Sequence, residues 1–203
     1  NGSILSCAVF TAIGVNPDGR REVIGVSVSL SEAETHWRQF LKSLKKRGLS
    51  GVKFISSDDH SGLKAALNAE FSGVLWQRCQ CHLQRNAVKY VPKVSMRRAV
   101  AEDLRDIFNA KDISDAEDRL KKCVDKYSES ARQLSDWMEE NVPDGLAVFA
   151  LPVKHRRRMR TTNMVERLHQ EINRRTRVAR LFSNETSLLR LVSAIEMEIS
   201  EDW

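Results

Sequence analysis

Asp58 and Asp59 follow a short apolar run at residues 52–56, the place where a strand would deliver its chemistry. Open α/β sheets gather functional residues at the carboxyl ends of their strands. A carboxylate there can hold a divalent cation such as Mg²⁺ through hard oxygen ligands. The same position suits a helix cap, with either carboxylate accepting N–H bonds from the helix that follows, and position alone does not choose. Glu166 is one of only two acids in a strongly basic stretch and lies one helical turn from Asn163 and from Gln170. It either offsets Arg167 and its neighbours or completes a metal site on a helix that presents arginines to phosphate. Cys79, Cys81 and His82 suggest zinc, which takes four ligands with a second cluster at recognisable spacing. His155 and His169 supply no such cluster, so buried thiols and a hydrogen-bonded histidine are the ordinary account.

The net charge is +6, unevenly spread. Residues 154–180 hold ten Lys or Arg against Glu166 and Glu171, a local charge of +8 that leaves the remainder at −2. So concentrated a basic patch is an electrostatic footprint for nucleic acid; a solvated helix face or a surface for an acidic protein is the alternative. An apolar fraction of 41% with 30% charged residues argues for a folded chain. Cys7, Cys79, Cys81 and Cys123 show no disulfide-scaffold spacing, which fits a reducing, intracellular setting. With neither a signal segment nor an apolar run of about 18 residues, no feature points to secretion or a membrane. The first residue is not Met and a strand pattern starts almost at once, which reads as the edge of a fragment.

The elements that must position these residues follow from periodicity. Apolar runs at 4–15 and 21–30 flank Asn16-Pro17-Asp18-Gly19 and predict a β-hairpin. Ser31 and Glu34 form a capping box for a helix through Lys46, with Trp37, Phe40, Leu41 and Leu44 facing the core. Residues 52–56 form a strand, 61–71 a helix, and 74–78 a strand that leads into Cys79 and a helix ending near Pro92. This order indicates an α/β domain with a mixed sheet. Residues 93–141 read as a helical insertion, with apolar repeats such as Leu104, Ile107 and Phe108, then Leu120, Val124 and Tyr127. Residues 146–151 fit a helix or a strand. Thr162 or Asn163 caps a helix that turns Val165, Leu168 and Ile172 inward, and a last helix over 184–199 buries Leu188, Leu189, Leu191, Val192 and Ile195.

Several stretches carry a family resemblance. They are Ala12-Ile13-Gly14-Val15 through Asp18-Gly19-Arg20-Arg21-Glu22-Val23-Ile24-Gly25; Ser57-Asp58 through His60-Ser61-Gly62-Leu63-Lys64; and Gln77-Arg78-Cys79 with His82 and Arg85-Asn86. Thr161-Thr162-Asn163 with Glu166-Arg167, then Arg175-Thr176-Arg177, Phe182, Ser187-Leu188, Leu191 and Trp203, complete the set in order. With these the chain resembles the mutator-like transposases, bacterial insertion-sequence enzymes related to plant mutator elements.

The resemblance implies a ribonuclease H-like α/β fold that lacks its first strand here, with an all-helical insertion between the second and third catalytic acids. It divides the chain into a first core part at 1–92, the insertion at 93–150 and core-completing helices at 151–203. It implies an Asp-Asp-Glu site binding Mg²⁺ or Mn²⁺, in which Asp58 matches the second aspartate and Glu166 the glutamate, with Asp59 a neighbour. Cys79 and His82 match a Cys-two-residue-His element that either supports the site or contacts the distorted DNA end. The first aspartate has no counterpart, since Asp18 belongs to the hairpin turn, and an upstream end-binding region is absent too. The fragment alone is therefore expected to be inactive, and the full-length protein to be a transposase. Arg156, Arg157, Arg158, Arg160, Asn163, Arg167, Arg174, Arg175 and Arg177 are the expected DNA contacts. The implied partners are double-stranded DNA at transposon ends and target DNA, with self-association in a synaptic complex and a bacterial cytoplasmic, nucleoid-associated setting. The rival reading is a catalytically inactive DNA-binding module derived from a transposase.

Overall fold

The structure, a computed structural model, describes residues 4–179 and 181–203; Arg180, the end of the basic stretch, lies outside the described residues. Strands β1 (Ala8–Val15) and β2 (Arg21–Ser29) pair antiparallel as the hairpin pattern predicts. Gly19 takes φ 81° in the turn, a left-handed conformation that costs glycine little, and Asn16 Oδ1 accepts from Arg20 N at 2.8 Å. The ladder begins at Ala8 and not at Ile4, which is exposed with Leu5. The register slips between Ala12 and Ile13, leaving Ile24 as the extra residue. This bulge brings Val23, opposite Ile13, to the same face as Val26, opposite Thr11.

The two faces of the hairpin receive different helices. Helix α1 (Glu34–Lys46) stacks Trp37 on Phe10 with ring centroids 3.9 Å apart and sets Phe40 beside it. Gly25 permits this approach, because a Cβ there would lie 2.4 Å from Leu44 Cδ2. The expected capping box does not form: the helix starts after Ala33 without a side-chain cap, and Ser31 Oγ instead lies 3.0 Å from His36 Nδ1. Helix α2 (Ser61–Glu70) packs Ala66 and Leu67 toward α1, and Arg38 Nε donates to Glu70 at 3.2 Å. The opposite face, with Val9, Ile13, Val23 and Val26, meets the buried Leu168, Ile172, Val192 and Ile195 of two long helices, numbered α8 (Asn163–Ala179) and α9 (Glu185–Glu201) by chain order. Asn184 and Ser187 form a capping box at the start of α9. Within this apolar seam lies Glu196, 1% exposed, accepting a 2.6 Å hydrogen bond from Thr11 Oγ1.

These elements make up one compact unit, Asn1–Val52, Asp59–Gly73 and Asn163–Trp203; Lys53–Asp58 and Val74–Thr162 make up a second. In the second, β3 (Phe54–Ser57) and β4 (Leu75–Arg78) pair parallel. Among the described residues the strands thus form two two-stranded sheets where the pattern predicts one mixed sheet, since the four-residue β3 and β4 pair there only with each other. Helices α3 (Gln80–Ala87), α4 (Arg97–Phe108), α5 (Ile113–Tyr127) and α6 (Arg132–Asn141) follow, the last three within the stretch from residue 93 that reads as helical. They share a core that includes Leu83, Leu104, Ile107, Leu134 and Met138. Burial, with a hydrogen bond to the Asp103 carboxylate, pushes the Tyr127 phenol up to about 12. The segment left open between helix and strand forms a 3₁₀ helix at Ala147–Ala150, and the basic run after it is helix α7 (Val153–Met159). No helix among the described residues is long and apolar enough to cross a membrane.

Gln77, with no exposed surface, ties this unit together. Its Nε2 donates to Gly145 O at 2.7 Å and Arg78 O at 3.0 Å, and its Oε1 accepts from Val148 N at 2.8 Å. Gln80 Nε2 donates to the same Gly145 carbonyl at 2.8 Å. Gln77→Leu would strand Val148 N–H and weaken the hold on Gly145, so urea denaturation is expected to show a loss of about 3 kcal/mol. A second prediction concerns Glu196, whose carboxyl burial pushes from 4.5 up to about 7 against the opposing Thr11 hydrogen bond. As pH rises between those values the unfolded chain releases a proton that the folded protein keeps, so stability falls with rising pH across that window. Thermal unfolding from pH 4.5 to 8 is expected to show this slope in the wild type and its loss in Glu196→Gln.

Candidate functional site

The parallel register makes Ser57 and Arg78 the last pair of the β3–β4 ladder, and Cys79 N donates to Ser57 O at 2.8 Å. Asp58 and Cys79 therefore leave neighbouring strand ends together. Helix α3 begins immediately, and residues three apart lie on one helix face, so its first turn brings His82 to the same side as Cys79. His82 Nδ1 lies 2.6 Å from Asp58 Oδ1. The ligand-capable atoms of Asp58, Cys79 and His82 all fall within 4.8 Å of one another.

The surroundings fix this cluster. Ser57 Oγ accepts from Trp76 Nε1 and donates to Asp58 O, both at 2.9 Å. Cys79 is fully buried, and its Sγ accepts from Thr162 N at 3.3 Å; Gln80 N donates to Arg160 O at 3.0 Å. Asp58 keeps 49% of its side chain exposed and His82 25%, so a cation would meet the carboxylate and imidazole first. That pair suits hard or borderline divalent ions, whereas adding the thiol would favour zinc. The cap position of α2 belongs to His60 and not to either aspartate. His60 caps α2 by accepting from Leu63 N, and Asp59 pairs with Lys64 at 2.9 Å.

Glu166 occupies the first turn of α8, where the positive end of the helix dipole favours a carboxylate. Neither predicted cap of this helix forms: Thr162 Oγ1 and Asn163 Oδ1 are buried without a hydrogen-bond partner among the described residues. Along the exposed side of α8, Gln170, Asn173, Arg174 and Arg177 line a shallow groove at helical spacing.

The expected arginines divide into two groups. Arg156 donates Nε, Nη1 and Nη2 to the carbonyls of Leu151, Lys111 and Phe149, which closes a turn. Arg160 donates to Asn109 Oδ1 at 2.8 Å. Arg174 and Arg175 grip Glu171 at 2.6 and 2.7 Å, and Arg175 also reaches Glu198 at 2.7 Å. The Arg174 guanidinium, then that of Arg175, holds the Glu171 carboxyl down at about 2. By contrast Arg157, Arg167 and Arg177 are exposed and engage no hydrogen bond or ion pair among the described residues, and Arg158 is exposed beside Arg157. What periodicity misses is the contact of His82 with Asp58; the one signal available is the helical spacing of Cys79 and His82.

Residues 1–203 match the family described as Transposase, Mutator family. The chain is 48% identical over 202 residues to the transposase for insertion sequence element IS406 of Burkholderia multivorans, covering 100% of this chain and 52% of the relative. It is 40% identical to the transposase for ISRM5 of Rhizobium meliloti, over 100% of this chain and 50% of that protein. It is 34% identical to the transposase for IS256 in transposon Tn4001 of Staphylococcus aureus, over 98% of this chain and 51% of that protein. The chain thus spans about half the length of these curated relatives.

Proposed function

Since the chain belongs to the Mutator family of transposases, we propose that it supplies the catalytic core of a DNA transposase that hydrolyses and rejoins phosphodiesters at transposon ends with Mg²⁺ or Mn²⁺. The observation that carries this reading is the 2.6 Å contact of His82 with Asp58 at the common end of β3 and β4. The half-exposed Asp58 carboxylate and the first-turn Glu166 carboxylate are hard oxygen donors that fit such ions. Divalent ions held by carboxylates of this kind would favour in-line attack on a phosphodiester by lending charge to the attacking and leaving oxygens.

The protein's own part is to hold and to neutralise. His82 sets its imidazole 2.6 Å from the Asp58 carboxylate, so that a borderline and a hard donor are presented side by side. Cys79 uses its sulfur to pin Thr162, the residue two positions before the first apolar residue of α8. Arg157, Arg167 and Arg177 are the arginines we assign to the DNA backbone, which positions the duplex without reading its sequence. Arg156 has a folding role instead. In this reading the core is ribonuclease H-like, interrupted by the helices of 93–150, and acts on element-end and target DNA as an oligomer.

Mn²⁺-dependent cleavage and joining of labelled element-end DNA by the full-length protein tests the carboxylates. Asp58→Asn and Glu166→Gln are each expected to lower the rate by more than about 100-fold. Activity surviving either change removes that residue from the site, and DNA binding without any cleavage in the wild type favours an inactive binding module. The salt dependence of DNA affinity tests the arginines. Arg157→Ala, Arg167→Ala and Arg177→Ala are each expected to reduce the slope by about 1, with Arg156→Ala leaving it unchanged while lowering the melting temperature.

A further inference from the structure

We propose that Thr11, Glu196 and His169 form a buried relay that fixes the rotation of α8 and thereby positions Glu166. The inference rests on the reading of Glu166 as a metal-binding carboxylate and adds the residues that hold it in place. Three elements meet in this relay. Thr11 on β1 donates through Oγ1 to Glu196 Oε1 on α9 at 2.6 Å, and His169 Nε2 on α8 lies 3.1 Å from the same hydroxyl. A threonine hydroxyl has one proton. While Glu196 is ionised that proton goes to its carboxylate, and Thr11 then accepts from His169 Nε2–H.

Packing alone does not call for these groups. Leu168 and Ile172 already press against Val192 and Ile195, and apolar contacts of that kind are non-directional. Glu196 is 1% exposed in this seam, and its Oε2 has no hydrogen-bond partner among the described residues. Burying a carboxyl under such conditions costs stability, and an apolar residue would pack there without that cost. Hydrogen bonds are directional, and here they tie α8 to a strand at one point of its circumference. That point lies three residues beyond Glu166, its neighbour on the helix surface.

The geometry of a helix shows what such a tie achieves. A carboxylate about 6 Å from the helix axis moves about 2 Å when the helix turns by about 20°. Metal–ligand distances tolerate only about 0.2 Å, and functional constellations must be held to roughly 0.5 Å. Burial also lowers the His169 pKa, which favours the neutral ring this relay uses.

The test is Mn²⁺ binding to the full-length protein, followed by electron paramagnetic resonance without DNA and paired with melting curves at fixed pH. Thr11→Val and His169→Leu break the relay at different links, Thr11→Ser keeps it, and Glu166→Gln removes the carboxylate it serves. The expected result is that Thr11→Val and His169→Leu fold and weaken Mn²⁺ binding about 10-fold, while Thr11→Ser stays near wild type. Folded relay variants with wild-type affinity, alongside a weakened Glu166→Gln, would overturn the positioning role and leave Glu166 in the metal site. Wild-type affinity in Glu166→Gln would remove the metal-site reading and this inference with it. Loss of folding in both relay variants would make the network a stability device and overturn the proposal.

Discussion

A single buried carboxamide holds the strand end from which the candidate site departs. Gln77 lies next to the last residue of β4, with no exposed surface, and both of its polar atoms are hydrogen-bonded to backbone. An amide is suited to this task because it offers donors and an acceptor without a charge to desolvate. Two residues later Cys79 receives Thr162 N–H, and five residues later His82 meets Asp58. The position of the imidazole therefore depends on where β4 stops, which the Gln77 bonds to Gly145 and Val148 determine. The helices that follow α3 contribute indirectly, since Gly145 and Val148 come after α6, Val148 shares a core with Leu83 on α3, and a Cβ at Gly145 would lie 2.5 Å from Leu83 Cδ1.

The legible parts of the sequence were those set by local chemistry. Asn16-Pro17-Asp18-Gly19 announces a turn through its side-chain and glycine preferences, and the hairpin is there. Leu168 and Ile172, then Val192 and Ile195, keep a helical period and are buried. Illegible were features decided by partners distant in the chain. Ser31 and Glu34 have the spacing of a capping box, yet Ser31 is taken by His36 and the helix starts later. Glu196 sits on the apolar side of its helix, but a charged residue in a stripe reads as an interruption until Thr11 is seen beside it. The site divides the same way. Asp58 stood out by its place after a strand, while its contact with His82 depends on a parallel register joining residues 57 and 78, which no local pattern encodes.

Charge in the basic stretch is similarly divided by context. Counting arginines gives a uniform patch, but Arg156 is consumed by three carbonyls and Arg175 by two carboxylates. A guanidinium bonded to a carboxylate is partly neutralised and geometrically fixed, whereas Arg167 and Arg177 keep their rotamers open. Glu171 and Glu198 thus set which arginines of α8 remain adaptable, and they brace α8 against α9 in doing so.

The hairpin is complete by residue 29, but the helices that cover one of its faces are not finished until residue 201. At about 5–20 residues per second of synthesis, that interval lasts on the order of ten seconds. Throughout it the growing polypeptide displays a ribbon whose Val9, Ile13, Val23 and Val26 have no cover, next to strand edges able to pair with a neighbouring nascent chain. Yield in the cell is then governed by a race between completion and aggregation, in which chaperone supply counts before native free energy has any influence.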